Sequence, residues 1–352
     1  MARLREHVIR AGLETLYFSG AHRLIGHFLH GVGVILTLHH VRPPRHGAFH
    51  PNRILEITPQ FLDDVIAVLR AADIDLVSLD EAARRLEAQE FGRRFACLTF
   101  DDGYRDNRTY AYPILKRNGV PFAIYIPTSF MDREGYLWWL ALEDVIAARD
   151  EVLLIMDGVE RRFACATVEE KNDAFAAIYW WLRSLPSDAA IRCAVRALAA
   201  RYGIDGRAYC NDLCLDWDEL VALAADPLVT VGAHTVNHPI LAKIPADALA
   251  VEIESGCERI ARRLGARPRH FSFPFGDRSA AGPREFAAAR AHGFRTAVTT
   301  RPGVLFPEHR EHLMALPRIS INGDYQRRRY FNVLLSGAAT AMWNGLRRVD
   351  AA

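Results

Sequence analysis

Two groups of ionisable side chains in this chain have the types and spacing that bind a divalent metal ion. The segment TFDDG places Asp101 and Asp102 where an apolar run ends, and GAHTVNH places His234 and His238 four residues apart. If the second segment is a helical turn, both imidazoles face one point. Two neutral imidazoles and one carboxylate make a three-ligand site with one open position, suited to zinc or a similar ion. Asp-Asp-Gly alone is also typical of a turn, and a histidine pair of a helix cap, but together they favour the metal site.

A third segment, SFPFGD, would add a backbone donor to such a site. Pro274 fixes the backbone and leaves the amide of Phe275 free to point into the same mouth. An oriented N–H is what the oxyanion intermediate of an acyl transfer needs. Pro-Phe-Gly by itself is only a turn, so this segment supports the prediction without carrying it.

The elements that must position these residues are short apolar runs that alternate with helical patterns. This alternation is typical of repeated βα units, in which functional side chains follow the carboxyl ends of the strands. We therefore expect an α/β fold, a barrel-like domain of about seven strands with interleaved helices. The apolar runs predict strands at 31–38, 74–79, 95–100, 121–127, 229–233, 270–273, 296–300 and 316–321.

The alternation breaks between residues 129 and 215, a stretch with four of the six tryptophans and mostly helical periodicity. We interpret it as a largely helical insertion in a domain that spans residues 31–325. Residues 1–30 form an amphipathic helical segment, and residues 326–352 form a terminal helix or tail. The amphipathic segment either packs on the domain or anchors the protein at a membrane surface.

Composition and charge exclude several classes of protein. Forty-four Lys and Arg against 42 Asp and Glu leave a net charge of +2, which predicts no nucleic-acid partner. No apolar run approaches the roughly 20 residues of a membrane span. Arg10, Glu14 and Arg23 interrupt the apolar core of a secretory signal, and the six cysteines are scattered. The sequence therefore predicts a cytoplasmic protein with reduced thiols, or one held peripherally at the inner membrane by its N-terminal helix.

In this order, TFDDG, HTVNH and SFPFGD resemble the motifs of the NodB-type polysaccharide deacetylases, carbohydrate esterase family four. The resemblance covers roughly residues 32–325, and the first two motifs match in full. It implies a distorted (β/α) barrel that hydrolyses N-acetyl groups on an N-acetylglucosamine-containing oligo- or polysaccharide. It also implies that Asp102, His234 and His238 hold one divalent ion (zinc, with cobalt, nickel or manganese as alternatives) and that Asp101 is the general base.

The third motif departs from the family pattern, in which an arginine opens an Arg-x-Pro-Tyr run. Ser272 stands where that arginine orients the base, and Phe275 replaces the tyrosine, whose role falls on its backbone N–H. The later motifs that supply a general acid are missing downstream. LTLHHVRP instead resembles the first strand of poly-N-acetylglucosamine deacetylases, which implies that His39 is the acid and that His40 points elsewhere. The alternative is two histidines in a polar loop. Arg318, in LPRI, is a candidate to offset the missing arginine.

The remaining expectations concern the substrate. Tyr104, Trp138 and Trp139 would stack on sugar faces beside Pro274, although core packing is an equal alternative for the two tryptophans. His39 would act as an imidazolium that protonates the departing amine. Two other functions stay open: a non-catalytic carbohydrate-binding protein on the same fold, and a hydrolase of another acetylated substrate, either an ester or a non-sugar amide.

Overall fold

The computed structural model describes residues 2–351, with side chains from residue 6 onward, so Met1 and Ala352 lie outside the described residues. The strands are β1 (Gly33–Leu38), β2 (His40–Val41), β3 (Glu56–Ile57), β4 (Asp75–Leu76), β5 (Phe95–Phe100), β6 (Phe122–Ile126), β7 (Glu151–Met156), β8 (Val159–Ala164), β9 (Val229–Ala233), β10 (His270–Ser272), β11 (Thr296–Pro302) and β12 (Leu316–Ser320).

The α-helices are α1 (Ala2–Phe18), α2 (Ala21–Leu29), α3 (Pro59–Ala71), α4 (Leu79–Ala88), α5 (Tyr112–Arg117), α6 (Thr128–Met131), α7 (Trp138–Ala147), α8 (Val168–Ser184), α9 (Asp188–Arg201), α10 (Ala208–Leu213), α11 (Trp217–Ala224), α12 (Ala246–Leu264), α13 (Pro283–Ala291), α14 (Arg328–Leu335) and α15 (Ala338–Trp343).

Seven parallel strands close into a barrel. Their order is β1, β12, β11, β10, β9, β6, β5, and β5 pairs back to β1 with Gly33 opposite Phe95 and Leu38 opposite Phe100. β4 pairs with the first two residues of β5 outside this ring. The predicted barrel of about seven strands with surrounding helices is confirmed.

The strands that carry the acidic segment are buried along their whole length. Every residue of β1, β5 and β6 is buried, as expected for parallel strands that are covered on both faces. The outer helices supply that cover. In α3, the Thr58 hydroxyl caps the first turn by accepting from the Phe61 N–H, and Pro59 occupies the first turn. The helix then turns one apolar face inward: Phe61, Leu62, Val65, Ile66 and Leu69.

The stretch interpreted as an insertion contains helices and one β-hairpin. Helices α6 to α10 lie in it, and β7 and β8 pair antiparallel around a two-residue turn. Asp157 and Gly158 have φ of 52° and 81°, the positive values that a tight hairpin turn requires. The Asp-Gly pair between two alternating runs is the signal for this hairpin, which the helical periodicity around it obscured.

The two ends of the chain pack on each other. α1 buries Leu13 against Tyr330 and Val333 of α14, and Glu14 of α1 pairs with Arg329 at 2.6 Å. None of the described helices is both long and apolar enough to cross a membrane. The six cysteines are all free.

Candidate active site

The three side chains that the sequence predicts as metal ligands converge at the carboxyl-terminal end of the barrel. Asp102 lies two residues after β5, His234 directly follows β9, and His238 lies in the loop beyond it. The Oδ1 atom of Asp102 is 3.6 Å from Nε2 of His234 and 3.4 Å from Nε2 of His238. One ligand atom from each residue lies within 4.8 Å of the other two, and all three residues are buried.

The histidine segment reaches the site as a tight turn and not as the helical turn that its spacing favoured. Thr235 and His238 have φ of 68° and 57°, and the Thr235 hydroxyl accepts a 3.0 Å hydrogen bond from the His238 N–H. Asp102 is also left-handed, with φ of 73°. Such conformations cost a non-glycine residue about 1–3 kcal/mol and cluster where function requires a particular side-chain direction.

The protonation states of these residues suit a divalent cation. Nδ1 of His234 lies 2.6 Å from the Ser272 carbonyl oxygen, which can only accept, so Nε2 keeps its lone pair toward Asp102. Burial lowers the pKa of both His234 and His238, which favours the neutral ligand form. Burial, with the charge of Asp101, raises the pKa of Asp102 to about 8, and its Oδ1 has no donor among the described residues. A cation beside Oδ1 would favour the ionised carboxylate, so the donor set fits a divalent ion.

Asp101 is held by a buried arginine from the last strand. Nη1 and Nη2 of Arg318 donate to the two carboxylate oxygens at 2.8 and 2.6 Å, and Nε donates to the Thr299 carbonyl at 2.8 Å. Burial alone would raise the pKa of Asp101, but Arg318 outweighs it and holds that pKa well below its usual value. Ser272 lies against both partners, with its hydroxyl 3.1 Å from Nη2 and 3.3 Å from Asp101. Arg318 thus reaches the carboxylate that an arginine at position 272 would be expected to reach.

Phe275 lies beside His238 in a strained turn. It has φ of 60°, its ring centroid is 4.9 Å from that of His238, and its N–H has no protein acceptor among residues 2–351. The guanidinium of Arg183, from α8, sits 4.6 Å from the Phe275 ring centroid and donates to Asp277 at 2.6 Å. Sequence reasoning missed Arg183. In the sequence, the only indication of its position is that it follows Tyr179 by four residues, which places both side chains on the same face of a helix rich in aromatic residues.

The two histidines after β1 occupy different environments. His39 is largely but not completely buried. This burial lowers the pKa of its ring to about 4, although the charge of Asp101 partly opposes the shift. The ring is therefore neutral at neutral pH, so the expected imidazolium is not its resting form. His40 is buried, with Nδ1 2.6 Å from Asp106 and its ring stacked on Tyr104 at 3.5 Å. Its Nδ1 is therefore occupied by Asp106, and its ring face by Tyr104.

The residues predicted to stack on sugars lie in the core. Tyr104 is fully buried, with its hydroxyl beside Asp102, so it presents no open face. Trp138 and Trp139 are also buried and pack around Phe275 at 6.2 and 6.3 Å between centroids. Both tryptophans therefore pack in the core around Phe275, which is the alternative to sugar stacking that the sequence analysis gave for them. Pro274 is buried in the same turn.

A family model described as polysaccharide deacetylase matches residues 88–297, more than half of the chain. No curated protein matches the sequence.

Several solved structures share the fold. The Streptococcus pyogenes deacetylase PplD in complex with acetate has 16% identity and a TM-score of 0.53, covering 82% of this chain and 92% of that one. IcaB from Ammonifex degensii has 17% identity and a TM-score of 0.53, with coverages of 86% and 97%. A de-N-acetylase from Aggregatibacter actinomycetemcomitans has 14% identity and a TM-score of 0.54, with coverages of 86% and 99%. At these identities the likeness is one of fold.

Proposed function

The chain belongs to the polysaccharide deacetylase family, and from this premise we propose that it is a metal-dependent hydrolase. Its substrate would be an oligo- or polysaccharide that contains N-acetylglucosamine, from which it removes N-acetyl groups. One observation carries the proposal. Asp101, which accepts two hydrogen bonds from Arg318, lies at one end of the barrel beside the cluster of three possible metal ligands: Asp102, His234 and His238. A protein that only binds sugar has no use for a positioned base beside a ligand cluster.

The cluster would hold the ion through Asp102, His234 and His238. Two nitrogen donors and one oxygen donor favour zinc among the common divalent ions. When bound, the ion supplies Lewis-acid polarisation of the acyl oxygen and of the attacking water. The Ser272 carbonyl, which fixes the His234 tautomer, keeps that ring oriented for the role.

The remaining residues move protons and stabilise charge. Asp101 accepts a proton from water as the water oxygen attacks the acyl carbon, and Arg318 keeps the carboxylate in place. The Phe275 N–H donates to the oxyanion that forms. The C–N bond then breaks, His39 gives the amine nitrogen a proton, and the products are acetate and a free amine. Because His39 starts neutral, this proton must reach it during the reaction, and the water proton on neighbouring Asp101 is its source.

One observation favours this function over the non-catalytic alternative. The non-catalytic alternative was motivated by the missing arginine at position 272, and Arg318 makes the contact that this arginine would make. An acetyl ester would use the same base and oxyanion donor, so the choice between amide and ester is left to experiment.

The test compares acetate release from a chitooligosaccharide, an acetyl-xylan and an aryl acetate. We expect turnover of the chitooligosaccharide, and Asp101→Asn should lower its kcat by about 10²-fold or more, the scale of a lost general base. The matched control is Asp63→Asn, on the outer helix α3, where Asp63 pairs with Arg117 at the surface. Release from the esters alone would make the protein an esterase, and release from none of the three would refute the proposed function.

A further inference from the structure

Two helices near the ends of the chain expose large apolar side chains. On α2, Leu24 is 76% and Phe28 is 74% exposed, and at the end of α15 Trp343 is 52% and Leu346 is 70% exposed. These values are high for residues of this size, and contiguous exposed apolar surface marks a contact site more often than chance. The same region exposes further apolar residues: Phe18, Ile25 and Met342. We call these seven residues the terminal patch.

The terminal patch is one surface, because α2 packs directly on the junction of α14 and α15. A Cβ on Gly26 would lie 2.9 Å from the Cβ of Ser336, so the two backbones are in close contact there. Gly337, which separates α14 from α15, lies against the Leu29 carbonyl oxygen. Helices of nine and six residues are only about 14 and 9 Å long. Their exposed side chains therefore lie close together.

The terminal patch lies at the end of the barrel opposite the candidate active site. Arg94, the residue before β5, donates to the His30 carbonyl at 2.7 Å and to the Leu335 carbonyl at 3.0 Å. These two carbonyls follow α2 and end α14, so both helices meet at the amino end of β5. Asp101 follows the carboxyl end of the same six-residue strand, about 20 Å away.

The two stretches of sequence that carry most of the terminal patch contain arginines but no carboxylates of their own. Residues 15–55 and 325–349 contain no Asp or Glu. Arg23 on α2 and Arg347 and Arg348 after α15 are exposed beside the apolar side chains. Arg348 has one carboxylate partner at 3.3 Å, from another part of the chain, in a pair that is half exposed on both sides. Arg23 and Arg347 form no ion pair among the described residues, so they leave exposed positive charge beside the apolar side chains.

We propose that the terminal patch docks the protein on a membrane surface that contains anionic phospholipids. Short helices with Phe, Leu and Trp beside arginines lie in the interface, where the apolar side chains enter the acyl boundary and the arginines meet lipid phosphates. Neither helix is long enough to span a bilayer. The sequence pointed to residues 1–30 as a segment that either packs on the domain or anchors the protein at a membrane. Within that segment α1 buries Leu13 against α14, so we assign the contact mainly to α2, together with α15.

Docking in this orientation points the mouth of the barrel away from the bilayer. A substrate would then reach Asp101 from solution, or as the distal part of a long glycan, and not as a short group at the lipid headgroup. This inference is independent of the proposed function, because none of the terminal patch residues contacts the residues around Asp101.

The experiment measures sedimentation of the full chain with vesicles of phosphatidylcholine alone or of an equal mixture with phosphatidylglycerol. We expect binding to the mixed vesicles that weakens as salt is raised. The double variant Leu24→Ser, Phe28→Ser should lower the partition coefficient by about tenfold or more, since two large apolar side chains are lost from the contact. The matched control, Ile155→Ser with Val251→Ser, removes two apolar side chains that are 60% and 61% exposed elsewhere and should bind as the unaltered chain does.

Three outcomes would overturn the proposal: no binding to mixed vesicles, equal loss in the control variant, or equal binding to both vesicle types. The other possible partner of the terminal patch is a second copy of this chain. Light scattering tests this possibility, because it measures whether the protein is a monomer or a dimer. A dimer that the Leu24→Ser, Phe28→Ser change converts to a monomer, without vesicle binding by either form, would assign the terminal patch to self-association. The far-UV circular dichroism spectrum and the thermal unfolding midpoint should be the same in all variants, which excludes a folding defect whether or not the protein releases acetate.

Discussion

Replacing Arg318 by methionine is expected to damage both the stability and the chemistry of this protein. Arg318 donates to both oxygens of Asp101, to the hydroxyls of Thr99 and Ser272, and to the Thr299 carbonyl, at 2.6 to 3.1 Å. Methionine keeps much of the apolar stem but removes the charge and all five hydrogen bonds. Asp101, which is 2% exposed, would then be a buried and unpaired carboxylate.

The size of the effect follows from that burial. Removing one partner of a buried ion pair costs about 3–5 kcal/mol, because the remaining charge is uncompensated. Denaturant unfolding at neutral pH should show a loss of this order in the free energy of unfolding. A second change, Asp101→Asn in the Arg318→Met background, removes the unpaired charge and should recover part of the lost stability but none of the activity.

The catalytic effect is separated from the structural one by two further variants. Arg318→Lys loses the bidentate contact with Asp101 but keeps a positive charge beside it. The fall in kcat should therefore be smaller than in Arg318→Met. Ser272→Arg in the Arg318→Met background places a guanidinium on β10, at a position whose native hydroxyl lies 3.3 Å from the same carboxylate, and should restore part of kcat. If Arg318→Met loses stability but keeps its kcat, then Arg318 does not position a base. If it loses neither, the reasoning from the ion pair is wrong.

Three other predictions follow from the site and the core. His234→Ala should lose the bound divalent ion in elemental analysis, and an unchanged metal content would exclude the ligand assignment. His39→Ala should cripple hydrolysis of an N-acetyl sugar but largely spare an aryl acetate, whose leaving group departs without a proton; equal damage to both would remove His39 as the acid. Burial lowers the pKa of His309 to about 4, so its contribution to stability is complete above about pH 6.5 and lost as pH falls toward 4, by up to about 3 kcal/mol. His309→Asn should abolish that part of the pH dependence of unfolding, and an unchanged dependence would contradict the attribution.

The barrel strands could be located from local sequence patterns, whereas the closed ring was expected only from their alternation with helices and from the family resemblance, and the strand pairs that close it could not be identified. Apolar runs bounded by turn residues locate each barrel strand to within about two residues, because a parallel strand covered on both faces is apolar throughout. Pairing between β1 and β5, 57 or more residues apart in the chain, leaves no local pattern. The apolar run at 74–79 predicts a longer strand than the structure has. The strand is only Asp75–Leu76, because Ser78 is already the N-cap of α4, which begins at Leu79.

The ligand cluster was predictable because its members are close in sequence or lie at recognisable strand ends. The protonation and the exposure of the side chains around this cluster could not be predicted, because both depend on burial. The sequence suggests an ionised histidine at position 39, whereas the buried environment keeps that ring neutral. It also suggests open aromatic rings at the mouth, whereas Tyr104 and the two neighbouring tryptophans are packed beneath it.

The role of Arg318 shows why an incomplete motif is weak evidence for lost function. In a closed barrel, side chains of several strands point into the same interior, and the guanidinium of Arg318 also lies 6.0 Å from the ring centroid of Tyr125 on β6. The carboxylate of Asp101 needs one buried cation beside it, and its energy depends on where that cation is in space, not on which strand delivers it. Ser272 is small enough to leave room for the arginine from β12 and touches both partners of the pair. A serine at the motif position and an arginine on the last strand are therefore one coupled arrangement, and the Ser272→Arg, Arg318→Met exchange tests it directly.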